Sequence, residues 1–460
     1  MINKLLIYLT VTMVTLSSSM SFAQQDTTGL KGLLEHVLDV NPEIKRERSI
    51  YFSSVESLSQ AKANYRPTIT LDADATHNHT KSEGNTAFTE EGGNISKKLS
   101  ASLSQPLYRG GSTLADIKEK KNTISAQYWL LNQKYQDIAL DTITAYWDVY
   151  VQQSEVDLNI KNTSLLEQRL KETQARFEAG ELTKTDVSQA QARLAEAEAD
   201  LATAQGTWEK AKATLGRLAG LSVAKIDLPD LNPDLPESMD RALNDAMSLN
   251  PDIRRIKLVK EASQNTIRSI KGEFLPQISL GMSSSKSYDP APGFLEEEDS
   301  RSVQVTASIP LYTGGATRSR LRQARYNDKA NEYDIEDIED RVREQVIASW
   351  SNYKTSGYSL TARKKQVEAT SIAAEGVKKE HKYGVRTIID LLDSDQEHLD
   401  AQVNLIRAER DLMIAGFNLA RQIGALSPDT FMLKSALPNN TAVMKDIGGN
   451  WLGFDVDYPE

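Results

Sequence analysis

Apolar and polar side chains alternate strictly in four stretches of the sequence, which fall into two pairs. The apolar positions of the first pair are Ile69, Leu71, Ala73 and Ala75, then Leu99, Ala101, Leu103 and Leu107. Those of the second pair are Ile278, Leu280 and Met282, then Val303, Val305, Ala307, Ile309 and Leu311. A period of two places all these side chains on one face of a strand. The pattern therefore predicts two strand hairpins, each with one apolar and one polar face.

Polar, glycine-containing segments separate the two strands of each predicted hairpin. They cover residues 77–94 in the first hairpin and residues 286–299 in the second, which ends in the acidic run Glu-Glu-Glu-Asp. An acidic run of this kind is typical of a solvated loop. Each hairpin is therefore expected to end in a long, exposed loop.

Helical patterns precede and follow each hairpin. Residues 29–64 and 239–273 are predicted to be helical, and residues 112–179 contain neither glycine nor proline, so that an unbroken helix there would extend about 100 Å. From about residue 183 a heptad pattern predicts closely packed antiparallel helices. Its positions are Leu194, Ala197, Leu201, Ala204, Trp208, Ala211, Leu215 and Leu218, with Ala401, Leu405, Ala408, Leu412, Ala415 and Leu419 in the second half. A soluble coiled coil would have the same pattern, so the helices alone do not identify the class of protein.

This order of elements occurs twice, because the sequence contains an internal two-fold repeat. Asn-Pro-Glu-Ile at residues 41–44 recurs as Asn-Pro-Asp-Ile at residues 250–253, and a Pro-Leu-Tyr-x-Gly-Gly motif follows each hairpin at the junction between strand and helix. The motif residues are Pro106, Tyr108, Gly110 and Gly111, and then Pro310, Tyr312, Gly314 and Gly315, which follow 204 positions later. The same offset relates Asp186 to Asp390 and Gly180 to Gly384, and the two glycines are predicted to lie in the turns between helices.

The first residues have the features of an export signal. Lys4 is followed by an apolar run that ends at Leu16, and small residues lead to Ala23. These features predict a cleaved signal peptide, because the apolar run is much shorter than the roughly 20 residues that a membrane anchor needs. No later segment has the length and apolarity of a transmembrane helix, so the chain could enter a membrane only as strands.

The signal and the repeat together divide the chain into five parts. They are a signal peptide (1–23), a first structural repeat (24–220), a linker (221–238), a second structural repeat (239–426) and a C-terminal tail (427–460).

Composition excludes several kinds of chemistry. The chain has no cysteine, which excludes disulfides, thiolate metal sites, cysteine nucleophiles and a lipidated N-terminal cysteine. Its formal net charge is −10, and nothing indicates nucleic-acid binding. Only His77 and His79 invite a metal interpretation, because they share a strand face, but two imidazoles beside a loop more often have no such role. We therefore expect no metal site, no cofactor and no enzymatic activity.

The strand count constrains how the chain could enter lipid. Four strands with an apolar face cannot form an open sheet there, because the edge amides would lack partners. Nor can they close alone, since the smallest membrane barrels have about eight strands. Several chains must therefore share one barrel, and the count allows two chains or three.

The combined motifs resemble the TolC family of outer-membrane efflux and secretion proteins. The resemblance rests on the signal peptide, the two Pro-Leu-Tyr-x-Gly-Gly motifs, the two Asn-Pro openings and Gly-Val-Arg-Thr-Ile-Ile-Asp-Leu-Leu-Asp at residues 384–393. It implies an α+β membrane protein, a homotrimer with a 12-stranded β-barrel, four strands per protomer, continued by a long α-helical coiled-coil tunnel into the periplasm. The linker and tail would form a belt around the tunnel. Trp-Leu-Gly-Phe at residues 451–454 resembles the ending of members that serve type I secretion.

The resemblance also assigns roles to residues of the helical turns. Asp390 and Asp393, three residues apart on one helical face, would form cation-selective rings at the periplasmic aperture, with pKa values raised by crowding. A helix-start acidic residue that favours the helix dipole would explain Asp390 alone equally well. Arg386 would tether one helical hairpin to the other through Thr185 and Asp186. His381 stands where the family usually has a tyrosine, which leaves a second tether open.

The resemblance implies a passive exit duct, gated at its periplasmic end, in the outer membrane of a Gram-negative cell. Its partners would be a periplasmic adaptor, an inner-membrane ABC or proton-driven transporter, and outer-membrane lipid. The cargo would be secreted polypeptides or small toxic compounds. A runner-up is that the chain is itself a periplasmic coiled-coil adaptor, although adaptors usually carry one hairpin and no membrane-type strands.

Overall fold

The structure is a computed structural model that describes residues 29–81, 91–223, 226–291, 295–428 and 437–447. The predicted signal peptide and the Trp-Leu-Gly-Phe segment at residues 451–454 lie outside these described residues. Half of the first predicted hairpin loop, residues 82–90, also lies outside them. The loop prediction is wrong for residues 77–81 and 91–94, which belong to strands.

Both halves of the chain contain the same sequence of helices and strands. The first half contains α1 (Leu30–Val40), α2 (Pro42–Ala63), β1 (Thr68–Lys81), β2 (Glu91–Arg109), α3 (Ser112–Glu178) and α4 (Lys184–Ala219). The second contains α5 (Met239–Leu249), α6 (Pro251–Gly272), β3 (Gln277–Ala291), β4 (Leu295–Ser308), α7 (Ala316–Lys382) and α8 (Ile388–Ile423), and α9 (Asn440–Asp446) follows. α3 and α7 each have 67 residues, and α4 and α8 each have 36. The unbroken helix predicted at residues 112–179 is thus present.

The opening helical segments differ from the prediction, because each is broken in two. Pro42 and Pro251 begin new helices, and the asparagine before each proline caps the second helix with its side chain. None of the helices in the described ranges has the length and apolarity needed to cross a membrane.

The four strands form one antiparallel sheet in the order β1-β2-β3-β4. Cross-strand neighbours place the apolar positions in rows, since Ile69 lies opposite Leu103, Leu103 opposite Met282, and Met282 opposite Val303. This face is open, and Ile69 is 73% exposed. The opposite face carries hydroxyl groups that hydrogen-bond across strands, as between Ser102 and Thr70 at 2.5 Å. The predicted alternation is confirmed within the four strands, but Ile309 and Leu311 of the predicted stretch lie beyond the end of β4 at Ser308. The joining of both hairpins into one sheet was not predicted.

The predicted loop at residues 286–299 is wrong, because β3 continues to Ala291 and β4 begins at Leu295. The acidic run therefore lies in a strand. Lys286 lies opposite Asp299 and forms an ion pair with Glu297 at 3.2 Å. Backbone pairing and these cross-strand charges extend the hairpin where polarity alone predicted a loop.

The main apolar core lies where the short helices surround the long ones. Its largest fully buried side chains are Tyr51, Tyr135, Tyr146 and Phe417, from α2, α3 and α8. Tyr51 donates its hydroxyl to Asn440 of α9 at 2.9 Å, so the tail is anchored to the first half. Tyr146 donates to the carbonyl of Asp227 in the linker at 3.0 Å.

These buried phenols make the fold sensitive to alkali. Burial raises the pKa of Tyr146 to about 12 and raises the pKa of Tyr51 as well, whereas an unfolded tyrosine ionises near pH 10. Their contribution to stability is complete below about pH 10 and is lost as the pH rises towards 12, by at most about 1.4 kcal/mol per pH unit for each. We expect Tyr146→Phe to reduce the fall in thermal unfolding midpoint between pH 9 and pH 11, followed by circular dichroism. The exposed Tyr326→Phe should behave like the unmodified chain, and equal slopes for both variants would contradict the assignment.

Candidate gate at the turns of the helical hairpins

The turn that connects the two helices has the same structure in both helical hairpins. After α3, Gly180 adopts φ +80°, and after α7, Gly384 adopts φ +76°, a left-handed conformation that glycine reaches without strain. The returning helices are capped by Thr183 and Thr387, each of which accepts a hydrogen bond from the N–H three residues later. Both glycines predicted as turn residues lie at these positions.

Asp186 and Asp390 complete the two caps. The Asp390 carboxylate accepts hydrogen bonds from the Thr387 hydroxyl at 2.7 Å and from its backbone N–H at 3.0 Å. These bonds hold the pKa of Asp390 below its ordinary value, and the equivalent bonds from the backbone N–H and hydroxyl of Thr183 lower the pKa of Asp186. Within one chain the pKa shift is thus opposite to the one expected from crowding in a ring. Asp390 therefore lies in the first turn of α8 and caps it, as considered for a helix-start acidic residue.

Asp393, one turn further along α8, forms an ion pair that the sequence analysis missed. Arg193 of α4 donates from Nη2 to Asp393 Oδ1 at 2.6 Å and from Nη1 to Glu196 at 3.0 Å. Arg193 and Asp393 are 200 positions apart, so no local pattern relates them. The charge of Asp393 is therefore partly balanced within the chain.

Arg386 bonds within its own turn. Its Nε donates to Glu380 Oε2 at 2.9 Å, and this bond raises the pKa of the guanidinium. Among the interactions of the described residues, none joins Arg386 to Thr185 or Asp186. A tether from Arg386 to the first helical turn would therefore have to exchange Glu380 for a new partner.

His381 does join the two turns. Its Nδ1 lies 3.0 Å from the Arg386 carbonyl oxygen, and its Nε2 lies 3.2 Å from Nη1 of Arg176 near the end of α3. Because a carbonyl only accepts and a guanidinium only donates, this geometry fits a neutral ring with its proton on Nδ1. A second proton on Nε2 would place two cations in contact and break the link. Arg176, which completes this link, was not identified from the sequence.

A buried ion pair joins α3 to α8 close to the two turns. Arg169 of α3 and Asp395 of α8 approach to 3.4 Å, with side chains only 8% and 12% exposed. Burial raises the pKa of Asp395, and the Arg169 guanidinium opposes this shift. Beside the pair, Leu166, Ala197, Ile388, Leu391 and Leu392 form a small apolar cluster contributed by both helical hairpins.

The two Pro-Leu-Tyr-x-Gly-Gly motifs lie at the predicted junctions between strand and helix, but their surroundings differ. The glycines all have positive φ, as listed here: Gly110 +64°, Gly111 +79°, Gly314 +63° and Gly315 +84°. Pro106 and Tyr108 flank a β-bulge in β2, whereas β4 ends at Ser308, before Pro310 and Tyr312. Gly110 packs directly against Gly272 of α6, and no group in the described part of the chain lies equally close to Gly314.

His77 and His79, the residues considered for a metal, both lie on β1. Across the described ranges of the chain, no three side chains of His, Asp or Glu come together as metal ligands.

Comparison with known proteins identifies the family. The family model for outer membrane efflux proteins matches residues 33–221 and 242–425. The outer membrane efflux protein BepC of Brucella suis is 27% identical over 425 residues, covering 92% of this chain and 91% of BepC. TolC of Escherichia coli is 24% identical, covering 86% of this chain and 82% of TolC. The alkaline protease secretion protein AprF of Pseudomonas aeruginosa is 24% identical, covering 73% and 71%.

Solved structures share the fold. The outer-membrane channel OprN superimposes with a TM-score of 0.74 at 20% identity, covering 86% of this chain and 90% of that one. The open state of the Neisseria gonorrhoeae channel MtrE gives a TM-score of 0.73 at 19% identity, covering 88% and 91%. The family model matches most of the chain, in two consecutive copies, and the chain belongs to the outer membrane efflux protein family.

Proposed function

We propose that this chain is one protomer of a passive outer-membrane exit duct that serves a tripartite export system. The observation that carries the proposal is the direct joining of an open, apolar-faced four-stranded sheet to two helical hairpins whose longer helices have 67 residues. The exposed apolar face suits lipid, and the hydroxyl-rich face suits a water-filled interior. The family match favours this duct over the periplasmic adaptor considered as the alternative.

The duct would be a homotrimer with a 12-stranded barrel. Within one chain, β1 and β4 have no strand on their outer edges, and such edges are not tolerated in lipid. Joining β4 of one copy to β1 of the next removes every edge. The number three comes from the family resemblance, since the edges alone would also allow two copies.

The internal repeat supports this closure, because residues that make contacts between the halves have repeat equivalents that are exposed in one chain. Helix α6 packs along α3, where Arg254 stacks over Trp129 at 4.5 Å. The equivalents of these residues by repeat are Lys45 of α2 and Tyr333 of α7, and both are exposed in one chain, Tyr333 by 58%. We infer that α2 of each copy packs on α7 of its neighbour as α6 packs on α3.

Fractionation and electrical recording test the proposal together. We expect heat-modifiable trimers in the outer membrane and, after purification, discrete channels in planar lipid bilayers. Recovery of the chain as a water-soluble periplasmic protein without channel activity would contradict the duct and favour the adaptor.

Arg386 is proposed to hold the periplasmic end closed by reaching Thr185 and Asp186 in the equivalent turn of a neighbouring copy. We expect Arg386→Ser to raise single-channel conductance several-fold, because three tethers would be lost together. The control is Glu380→Gln, which removes only the partner in the same turn. An unchanged conductance in Arg386→Ser, or an equal rise in Glu380→Gln, would contradict the tether.

Asp390 and Asp393 are proposed to form the cation-selective aperture. Three copies of each carboxylate around one axis would attract cations and repel anions. We expect Asp390→Asn to lower cation preference and block by multivalent cations, both measured from currents in asymmetric salt. Asp393→Asn should have a smaller effect, because Arg193 already balances part of its charge. Unchanged selectivity in the double variant would exclude the aperture.

The partners proposed for the duct are a periplasmic adaptor and an energised inner-membrane transporter of the ABC or proton-driven kind. A passive duct needs no catalytic residue or cofactor, because a water-filled path already lowers the barrier to crossing lipid. The names of AprF and BepC indicate protease secretion and efflux, respectively, and either class of cargo fits this chain. Chemical crosslinking followed by identification of the copurified transporter would distinguish the two.

A further inference from the structure

Two hydrogen bonds hold the ring of His381 between the two helical hairpins. Its Nδ1 lies 3.0 Å from the carbonyl oxygen of Arg386 in its own turn, and its Nε2 lies 3.2 Å from Nη1 of Arg176 on α3. Arg176 lies four residues before Gly180, and His381 lies three residues before Gly384. The ring therefore joins the hairpins at their turns, where the gate is proposed to lie.

This link requires an uncharged ring. A carbonyl oxygen only accepts and a guanidinium only donates, so the ring must donate from Nδ1 and accept at Nε2. A ring that has bound a second proton has no acceptor left, and its positive charge would face the charge of Arg176. Protonation of His381 therefore removes the hydrogen bond between the hairpins and replaces it with repulsion. Histidine is the side chain that ordinarily changes its charge between pH 5 and pH 8.

The carboxylates closest to this link are engaged by the two arginines. Glu181, in the turn after α3, accepts from Nε of Arg176 at 3.0 Å, which leaves Nη1 of the same guanidinium to the ring. On the other side, Glu380 accepts from Nε of Arg386 at 2.9 Å. Within the described turns, neither carboxylate hydrogen-bonds to the ring of His381.

The other charged residues around the turns balance each other. In the two turns and the adjoining single turns of helix they are Glu178, Lys184, Asp186, Lys379, Lys382 and Asp390. Three of these side chains are acidic and three are basic, so they supply no net negative charge. They therefore do not offset the repulsion between a protonated ring and the guanidinium of Arg176.

We propose that His381 is a pH-sensitive latch, which the neutral ring closes and a second proton on the ring releases. The proposal rests on the gated exit duct proposed above. Because only the neutral ring fits between α3 and α7, acid shifts the gate towards its open state. The aperture does not mask this response, because hydrogen bonds from Thr387 hold the pKa of Asp390 below its ordinary value, and the carboxylate stays charged in mild acid.

Single-channel recording of the purified protein in planar bilayers at pH 7.5 and pH 5.5 tests the latch. We expect the conductance of the unmodified channel to be about two-fold or more higher at pH 5.5. His381→Gln should keep the low conductance at both pH values, because a glutamine side chain donates and accepts without titrating. His381→Ala should give the high conductance at both. Arg176→Gln should also lose the pH response, since an amide can donate to a neutral ring or accept from a charged one.

His398→Gln is the matched control, because it removes an imidazole that contacts Thr370 and Gln402 instead of the other hairpin. This variant should keep the acid response of the unmodified channel. An acid response that persists in His381→Gln, or that His398→Gln abolishes, would overturn the latch, and so would an unmodified channel without an acid response. In each of these cases the channels themselves would still support the duct. Protein that forms no channel at either pH would contradict the exit duct itself, and the latch with it.

Discussion

Replacing Gly110 with alanine is expected to abolish accumulation of the folded protein, and with it the proposed trimer, in the outer membrane. A Cβ atom at this position would lie 1.9 Å from the carbonyl oxygen of Gly272, and Gly110 also has φ +64°, which is strained for any residue with a side chain. The two nearest atoms belong to the backbone of Gly272 and the third is Cβ of Leu275, and no rotamer change moves any of them. Helix α6 would have to move away from the start of α3, and this would disrupt the packing of α6 on α3, which joins the two halves of the chain.

Gly111 provides the matched control. It has φ +79°, yet a Cβ atom there meets no other group within 4 Å. Gly111→Ala should therefore cost only the strain of the left-handed conformation, about 1 to 2 kcal/mol. We would compare the heat-modifiable trimer in membrane fractions of the two variants. Equal accumulation of both would show that the contact between Gly110 and Gly272 is not required.

The variant Gly314→Ala tests the equivalent contact between neighbouring copies of the proposed trimer. Gly314 is the repeat equivalent of Gly110, but a Cβ atom there would meet none of the described residues of one chain within 4 Å. By the repeat, α2 of the neighbouring copy would approach it, and the residue equivalent to Gly272 is Ala63. Because Ala63 already carries a side chain, this contact must be looser. Gly314→Ala is therefore expected to reduce trimer yield less than Gly110→Ala.

Much of the fold follows from local periodicity. The period-two stretches predicted the strands, and the run without glycine or proline predicted α3, because each signal lies within a single element. Local patterns mispredict secondary structure where contacts between residues far apart in the sequence determine it. Residues 296–299 are acidic and suggested a loop, but their pairing with β3 makes them part of a strand.

The candidate gate was predicted less completely, for a similar reason. The turn glycines and the helix caps follow from residues within one turn of each other. Arg193 and Arg169 were missed because their partners, Asp393 and Asp395, lie about 200 positions away on another helix. Charged residues on long helices are common, and only packing determines which of them pair.

Breaking the buried pair of Arg169 and Asp395 is expected to destabilise the helical end by about 3 kcal/mol or more. In Asp395→Asn, the buried Arg169 guanidinium would lose its most buried partner and keep only Glu172, a solvent-exposed carboxylate 3.5 Å from Nη1. Loss of the buried partner is expected to cost more than the pair itself contributes. The comparison is Asp393→Asn, which removes a more exposed ion pair and should cost less than about 1 kcal/mol. Thermal unfolding of the purified protein, followed by circular dichroism, shows which of the two variants loses more stability.

The double variant Arg169→Leu with Asp395→Leu separates charge from packing. Removing both charges leaves no unpaired ion, and the new side chains would extend the apolar cluster around Leu391, so stability should recover towards that of the unmodified chain. The double variant could instead lose as much stability as Asp395→Asn. That result would mean that side-chain shape, not charge pairing, maintains the contact between α3 and α8. Recovery would show that the loss comes from the Arg169 guanidinium after removal of its Asp395 partner, as expected for a charge held away from water.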